Sequence, residues 1–226
     1  MRIPVEQRWR STDVANRYDA ERFQRPLGRF YHLLQTRVLA KVLRRIGPRP
    51  QIVDIPCGTG RMLPILNQYA CSVTALDVSE AMMAQARCRM LGHERVRFIR
   101  GDAKNLPLKG ESVDAVFCIR FAMHLTTAER REILREFARV SRAFVVVEYG
   151  CNSRWHEVRR FLRRLVCLVL ARRHTYPKSV ARGEILDEVR SAGMDVIGWF
   201  WTHRILSESV FVLMAKPPAV CAATAS

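Results

Sequence analysis

Residues 54–61, Asp54-Ile55-Pro56-Cys57-Gly58-Thr59-Gly60-Arg61, decide how the rest of this chain is read. They leave a short β-branched run, QIVDI (51–55), and enter a segment of helical periodicity, 61–69. A strand that passes through two glycines into a helix makes a ligand loop at its carboxyl end. Gly58 and Gly60 permit torsions and close approaches that a side chain blocks, and a helix N-terminus offers unpaired N–H groups to a carboxylate or phosphate. The full G-x-G-x-x-G spacing is absent, because Pro56 and Leu63 hold the outer positions. Pro56 also has no N–H for a pyrophosphate, which weakens a dinucleotide reading.

Outward from this loop the chain alternates. Further β-branched runs, SVTAL (72–76), VRFI (96–99), VDAVFCI (113–119) and AFVVVEY (143–149), are separated mostly by helical patterns at 61–69, 79–91 and 127–141. Strand and helix in alternation predict a parallel sheet covered on both faces. Beyond the helical 182–193 come two apolar strand candidates, 194–201 and 209–215, joined by the seven residues THRILSE. A parallel crossover needs about a dozen residues or more, so this pair is expected to be antiparallel. The fold class is therefore α/β: a Rossmann-like, doubly wound, seven-stranded sheet, mostly parallel, with one antiparallel strand near its C-terminal edge. Residues 1–47 read as an N-terminal helical region of two helices, 48–216 as the main domain with an insertion at 151–181, and 217–226 as a mobile tail.

With 226 residues, 49% of them apolar, the chain can bury a substantial core as one decorated domain. Its arginine-rich N-terminus lacks the apolar centre of a signal peptide, and LVCLVLA (165–171) is far short of the ~20 residues that span a bilayer. The seven scattered cysteines form no C-x-x-C pair and no zinc pattern. A cytoplasmic protein with reduced thiols and no bound metal is expected. The net charge of +17 makes nucleic acid, an anionic membrane surface and acidic small molecules plausible partners without choosing among them.

Two carboxylates extend the loop's chemistry. Asp77 closes the second strand, 23 residues after Asp54, near the distance at which an acidic residue meets ribose hydroxyls in such folds. Asp102 closes the third, where it can accept from the amino group of a base while the Ala103 N–H donates to a ring nitrogen. Singly, each is an ordinary turn residue; together and in this order they are far more specific. On these motifs the sequence resembles the class I S-adenosylmethionine-dependent methyltransferases, strongly over about 50–150, and within them the small-molecule and quinone branch. The resemblance implies that Cys57, Gly58 and Gly60 line the methionine moiety, Asp77 the ribose, Val78 and Met82 the adenine faces, and Asp102 with Ala103 the adenine edge. Asp54, Thr59 and Cys118 join this cofactor set. Tyr18 and Arg22 resemble a lid segment in which a tyrosine closes over the cofactor. Pro56 stands where the family most often has glycine.

The resemblance implies methyl transfer by in-line displacement, and it places substrate-facing residues in CIRFAMHLT (118–126). That segment lacks the Asn/Asp-Pro-Pro-Tyr pattern of N-methyltransferases acting on bases. His124 is the candidate base, the alternative being a histidine packed at the start of the next helix. Arg120 is a candidate for holding an anionic substrate or the cofactor carboxylate, the alternative being a cap or surface ion pair. In the insertion, residues 158–171 form a basic amphipathic helix pattern, with Arg159, Arg160, Arg163 and Arg164 within roughly 140° at helical pitch. The expected acceptor is a small or lipid-like molecule, apolar or amphipathic, with peripheral contact to the inner membrane face. An RNA methyltransferase and a non-catalytic binding or assembly factor on the same fold are the alternatives, nucleic acid being less favoured.

Overall fold

The computed structural model describes residues 26–151, 179–203 and 207–217. Helix α1 (Pro26–Ile46) exists because Val38, Leu39, Val42 and Leu43 recur at helical spacing and bury one stripe. It ends where Gly47, in the left-handed region at φ 118°, donates its N–H to the Leu43 carbonyl at 3.3 Å.

Seven strands follow: β1 (Gln51–Asp54), β2 (Ser72–Asp77), β3 (Val96–Arg100), β4 (Val113–Cys118), β5 (Ser141–Gly150), β6 (Asp195–Trp201) and β7 (Ser209–Ala215). Between them lie α2 (Leu63–Tyr69), α3 (Glu80–Arg89), α4 (Thr127–Val140) and α5 (Arg182–Ser191). The sheet order is β3-β2-β1-β4-β5-β7-β6. Strands β1 to β5 pair in parallel, whereas β7 runs antiparallel to both β5 and β6. The short link after β6 does make an antiparallel pair, and the reversed strand is slotted inside the sheet, leaving β6 at the edge.

The inner strands β1, β2, β4, β5 and β7 bury side chains on both faces, while the edge strands β3 and β6 stay partly exposed, so two cores form. Val53, Leu76, Val116, Val145, Val147, Val210 and Val212 pack beneath α4 and α5. Ile52, Val73, Ala75, Ala115, Phe117, Val146, Phe211 and Leu213 pack beneath α1, α2 and α3. A buried ion pair ties α4 to α5: Arg130 Nη2 lies 2.6 Å from Glu188 Oε1, both side chains almost fully enclosed. The capping box of α4, Thr126 with Glu129, fixes where that helix begins.

Chain direction switches between β1 and β4. From β1 the chain moves outward to β2 and β3, then returns to β4 on the other side. Such a switch point opens a crevice at the carboxyl ends of the strands. The helix expected before residue 26, the insertion with its basic helix at 158–171, and the end of the tail lie outside the described residues, as do Tyr18 and Arg22.

Candidate active site

The loop after β1 is held from beneath by backbone. Cys57 N–H donates to the Leu76 carbonyl at 2.7 Å, and Gly60 N–H to the Cys57 carbonyl at 2.9 Å. Arg89, on the last turn of α3, donates to the Thr59 carbonyl at 2.7 Å. The two glycines do different work. Gly58 has φ 53° and its missing side chain would point into open space, so the backbone there faces the crevice directly. Gly60 has φ 73°, and a Cβ on it would stand 2.8 Å from the Ala86 Cβ, well inside contact distance. Gly60 is what lets the loop lie against α3, and it is not among the residues lining the cavity. The resemblance expects Gly60 beside the methionine moiety; in the structure it sits behind the cavity wall, against α3.

The carboxylates form the floor. Asp77 accepts from Gly58 N–H and Ser79 N–H, each at 2.8 Å, and thereby joins the first loop to the start of α3. A third backbone N–H, that of Val78, also bonds this carboxylate, which leaves it acceptor capacity for one further donor. Burial pushes its carboxyl up, while the N–H donors of Ser79 and Gly58 hold it down. Asp54 is 2% exposed, lines the cavity, and its Oδ1 has no hydrogen-bond partner. Burial first, and the neighbouring Asp77 second, push its carboxyl up to about 8. A buried acceptor of this kind beside a second carboxylate is built for a cationic group, because a positive charge would offset both the desolvation and the repulsion. Asp102 accepts from Lys104 N–H at 2.9 Å and presents the rest of its carboxylate with Ala103 at the third strand end.

These groups surround one cavity of about 330 Å³. Asp54, Cys57, Gly58, Thr59, Asp77, Val78, Met82, Asp102 and Ala103 all line it, as do Arg120 and His124. One expectation does not hold in detail. Cys118 is fully buried within the core under α4 and does not reach the cavity, because strand alternation turns its side chain away and turns Ile119 inward. Cys57 lines the cavity as expected, and its thiol is pushed well up by burial and by Asp77 and Asp54.

The opposite wall comes from the segment after β4. Arg120 takes a left-handed backbone, φ 60°, and its N–H donates to Glu148 Oε2 at 3.1 Å. Glu148 is fully buried, and its Oε1 also accepts from Gln35 Nε2 at 2.8 Å and from the Ser209 hydroxyl. One carboxylate thus ties α1, β7 and the Arg120 loop together. His124 closes a short 3₁₀ turn, Ala122–His124, and stays partly exposed at the cavity. Ile119, Phe121 and Leu125, within the segment 118–126 expected to face the substrate, also line the wall, and it includes three residues that the sequence reading missed: Ile133, Lys104 and Glu129. Glu129 was findable, since Thr126 three residues before it spells a capping box. Lys104, 3.4 Å from Glu129 Oε1, carried no comparable signal. Among the described residues no cluster of ligating side chains could hold a metal ion.

Residues 52–143 match a sequence family described as a methyltransferase domain. An O-methyltransferase from Pyrenophora dematioidea is 31% identical over 144 residues, covering 56% of this chain and 53% of that protein. A demethylmenaquinone methyltransferase from Clavibacter sepedonicus is 34% identical over 130 residues, covering 57% and 50%. The chain spans about half the length of the curated relatives it matches. The crystal structure of magnesium protoporphyrin IX methyltransferase from Synechocystis PCC 6803 with bound SAH shares the fold, with a TM-score of 0.72 at 16% identity over 91% of this chain and 98% of that one.

Proposed function

We propose that this chain, whose residues 52–143 match a methyltransferase domain, is a class I, S-adenosylmethionine-dependent methyltransferase that methylates a small or lipid-like acceptor. The observation that carries the reading is the unbonded, buried Asp54 Oδ1 at the floor of a cavity whose other lining is the Gly58 backbone, Asp77 and the Asp102–Ala103 turn. That set suits a cationic nucleoside: a carboxylate for a positive amino acid end, a diol acceptor, and an acceptor–donor pair for a base edge. Val78 and Met82 would flank the base. When bound, S-adenosylmethionine supplies an electrophilic methyl on a sulfonium. This chain's own residues then have to orient the acceptor in line with that methyl and keep water out, and orientation of this kind can provide most of a rate enhancement.

The wall opposite the cofactor residues is apolar at Ile119, Phe121, Leu125 and Ile133 and charged at Arg120 and Lys104. It suits a flat apolar body bearing an oxygen or an anionic group. Relatives named for demethylmenaquinone and for malonyl-acyl carrier protein point to the same class of acceptor. His124 would take the proton of an acceptor hydroxyl, and Arg120 would hold an anionic substituent. Calorimetric titration with S-adenosylmethionine and S-adenosylhomocysteine tests the first half of this proposal: micromolar binding that Asp77→Ala abolishes is expected, and no binding to a well-folded sample overturns it. Labelled methyl transfer to quinols, carboxylic acids and RNA then tests the second half, with RNA labelling alone overturning the small-acceptor reading.

A further inference from the structure

Helix α1 combines three properties that bear on a partner. It contains five cations, Arg29, Arg37, Lys41, Arg44 and Arg45, and not one Asp or Glu in its 21 residues. A solvated helix normally intersperses both signs, since pairs three or four apart stabilise it. It also exposes large apolar side chains: Leu27 is 78% exposed, Phe30 50% and Leu33 56%. At 100° per residue these three share an arc of roughly 120° with Arg37, Lys41, Arg44 and Arg45. The arc is therefore apolar over the first turns of the helix and cationic over the last, while the opposite face is buried on the sheet.

The apolar end adjoins the cavity mouth. His32, five residues after Leu27 and two after Phe30, lies 3.0 Å from Arg61, which lines the cavity. Tyr31 accepts from the Ser207 hydroxyl at 3.3 Å, fastening the same turn to the segment before β7. Arg44 leans on Tyr69, donating to its hydroxyl at 3.2 Å, so the cationic end is held in place as well.

We infer that the outward face of α1 docks on an anionic lipid bilayer, with Leu27, Phe30 and Leu33 entering the hydrocarbon boundary and Arg37, Lys41, Arg44 and Arg45 meeting anionic headgroups. Hydrocarbon and negative charge lie side by side at a bilayer surface, which matches an apolar run and a cationic run on one face. A nucleic acid would satisfy the cations but leave Leu27 and Leu33 in water. The contact inferred is peripheral, made by one face of α1; among the described residues no helix is long and apolar enough to cross a membrane. Its use, delivery of an apolar acceptor to a cavity opening at the surface, rests on the function proposed above; the docking itself does not.

The test is sedimentation of the full chain with vesicles of phosphatidylglycerol and phosphatidylcholine in equal parts, against phosphatidylcholine alone and against a single-stranded RNA homopolymer. Binding to the anionic vesicles is expected to fall at least tenfold in the triple variant Leu27→Ser, Phe30→Ser, Leu33→Ser. A second variant, Arg37→Gln with Lys41→Gln and Arg45→Gln, is expected to lose the preference for anionic over neutral lipid. Both change exposed side chains, and an unchanged circular dichroism spectrum and thermal midpoint certify their fold. The inference is overturned if wild type ignores the vesicles, if the apolar variant binds them as wild type does, or if RNA binds with the vesicle affinity and only the cation variant loses it. Failure on vesicles with intact nucleoside binding removes the docking surface alone, whereas loss of nucleoside binding in wild type removes the methyltransferase reading alone.

Discussion

Replacing Asp54 with asparagine separates what the site needs from what the fold prefers. In the folded chain the Asp54 carboxyl is pushed from the usual value of 3.8 up to about 8 by burial and by Asp77. The unfolded chain releases this proton at lower pH, so between those values the native state holds more protons and stability falls as pH rises. Each pH unit is worth about 1.4 kcal/mol, and at neutral pH the accumulated penalty is on the order of 4 kcal/mol. The Asp54–Asp77 pair titrates together, so the penalty belongs to the pair. Asp54→Asn removes it while keeping the side chain's size. Urea denaturation from pH 5 to pH 8, followed by the fluorescence of Trp199 and Trp201 in β6, should show the variant ahead of wild type by only about 1.5 kcal/mol at pH 5. By pH 8 the variant should be several kcal/mol more stable. Calorimetry on the same samples should show S-adenosylmethionine affinity reduced at least tenfold in the variant, and proton release on binding in wild type only. Parallel stability profiles across this pH range would refute the reasoning, because they would mean that Asp54 is ionised in the free protein.

Gly60→Ala should lower stability by about 2–3 kcal/mol, since the new methyl meets Ala86 and the φ of 73° suits only glycine; equilibrium denaturation checks this. Arg130→Met should cost about 3–5 kcal/mol by leaving Glu188 buried and uncompensated. Adding Glu188→Leu should recover much of that, and a double-mutant cycle measures it. Cys118→Ala should leave S-adenosylmethionine affinity within about threefold of wild type and lower stability by about 1 kcal/mol, because the thiol lies in the core and not in the cavity. Thr126→Ala should cost about 1 kcal/mol by removing the capping box of α4; thermal unfolding reads it.

Much of this molecule was legible in one dimension because its signals are local. Period and β-branching placed all seven strands, and a seven-residue link was too short for anything but an antiparallel pair. Three strand ends in order, Gly58, Asp77 and Asp102, named the floor of the cavity, since in a parallel sheet consecutive carboxyl ends must lie along one edge. What the sequence could not decide depends on long-range packing. It did not distinguish Gly60, which makes room for Ala86, from Gly58, which opens to the ligand, because that difference lies in what α3 brings alongside. It assigned Cys118 to the cavity when one residue of strand alternation separates it from Ile119, the residue that turns inward. It had no means to see Gln35, Glu148 and Ser209 meet under the Arg120 loop, since they come from α1, β5 and β7, 113 residues separating the first two. Nor could it tell which face of α1 stays uncovered. A periodic stripe says that one side is buried, but only the assembled sheet determines how much of the rest is left to water and where the cavity opens beside it.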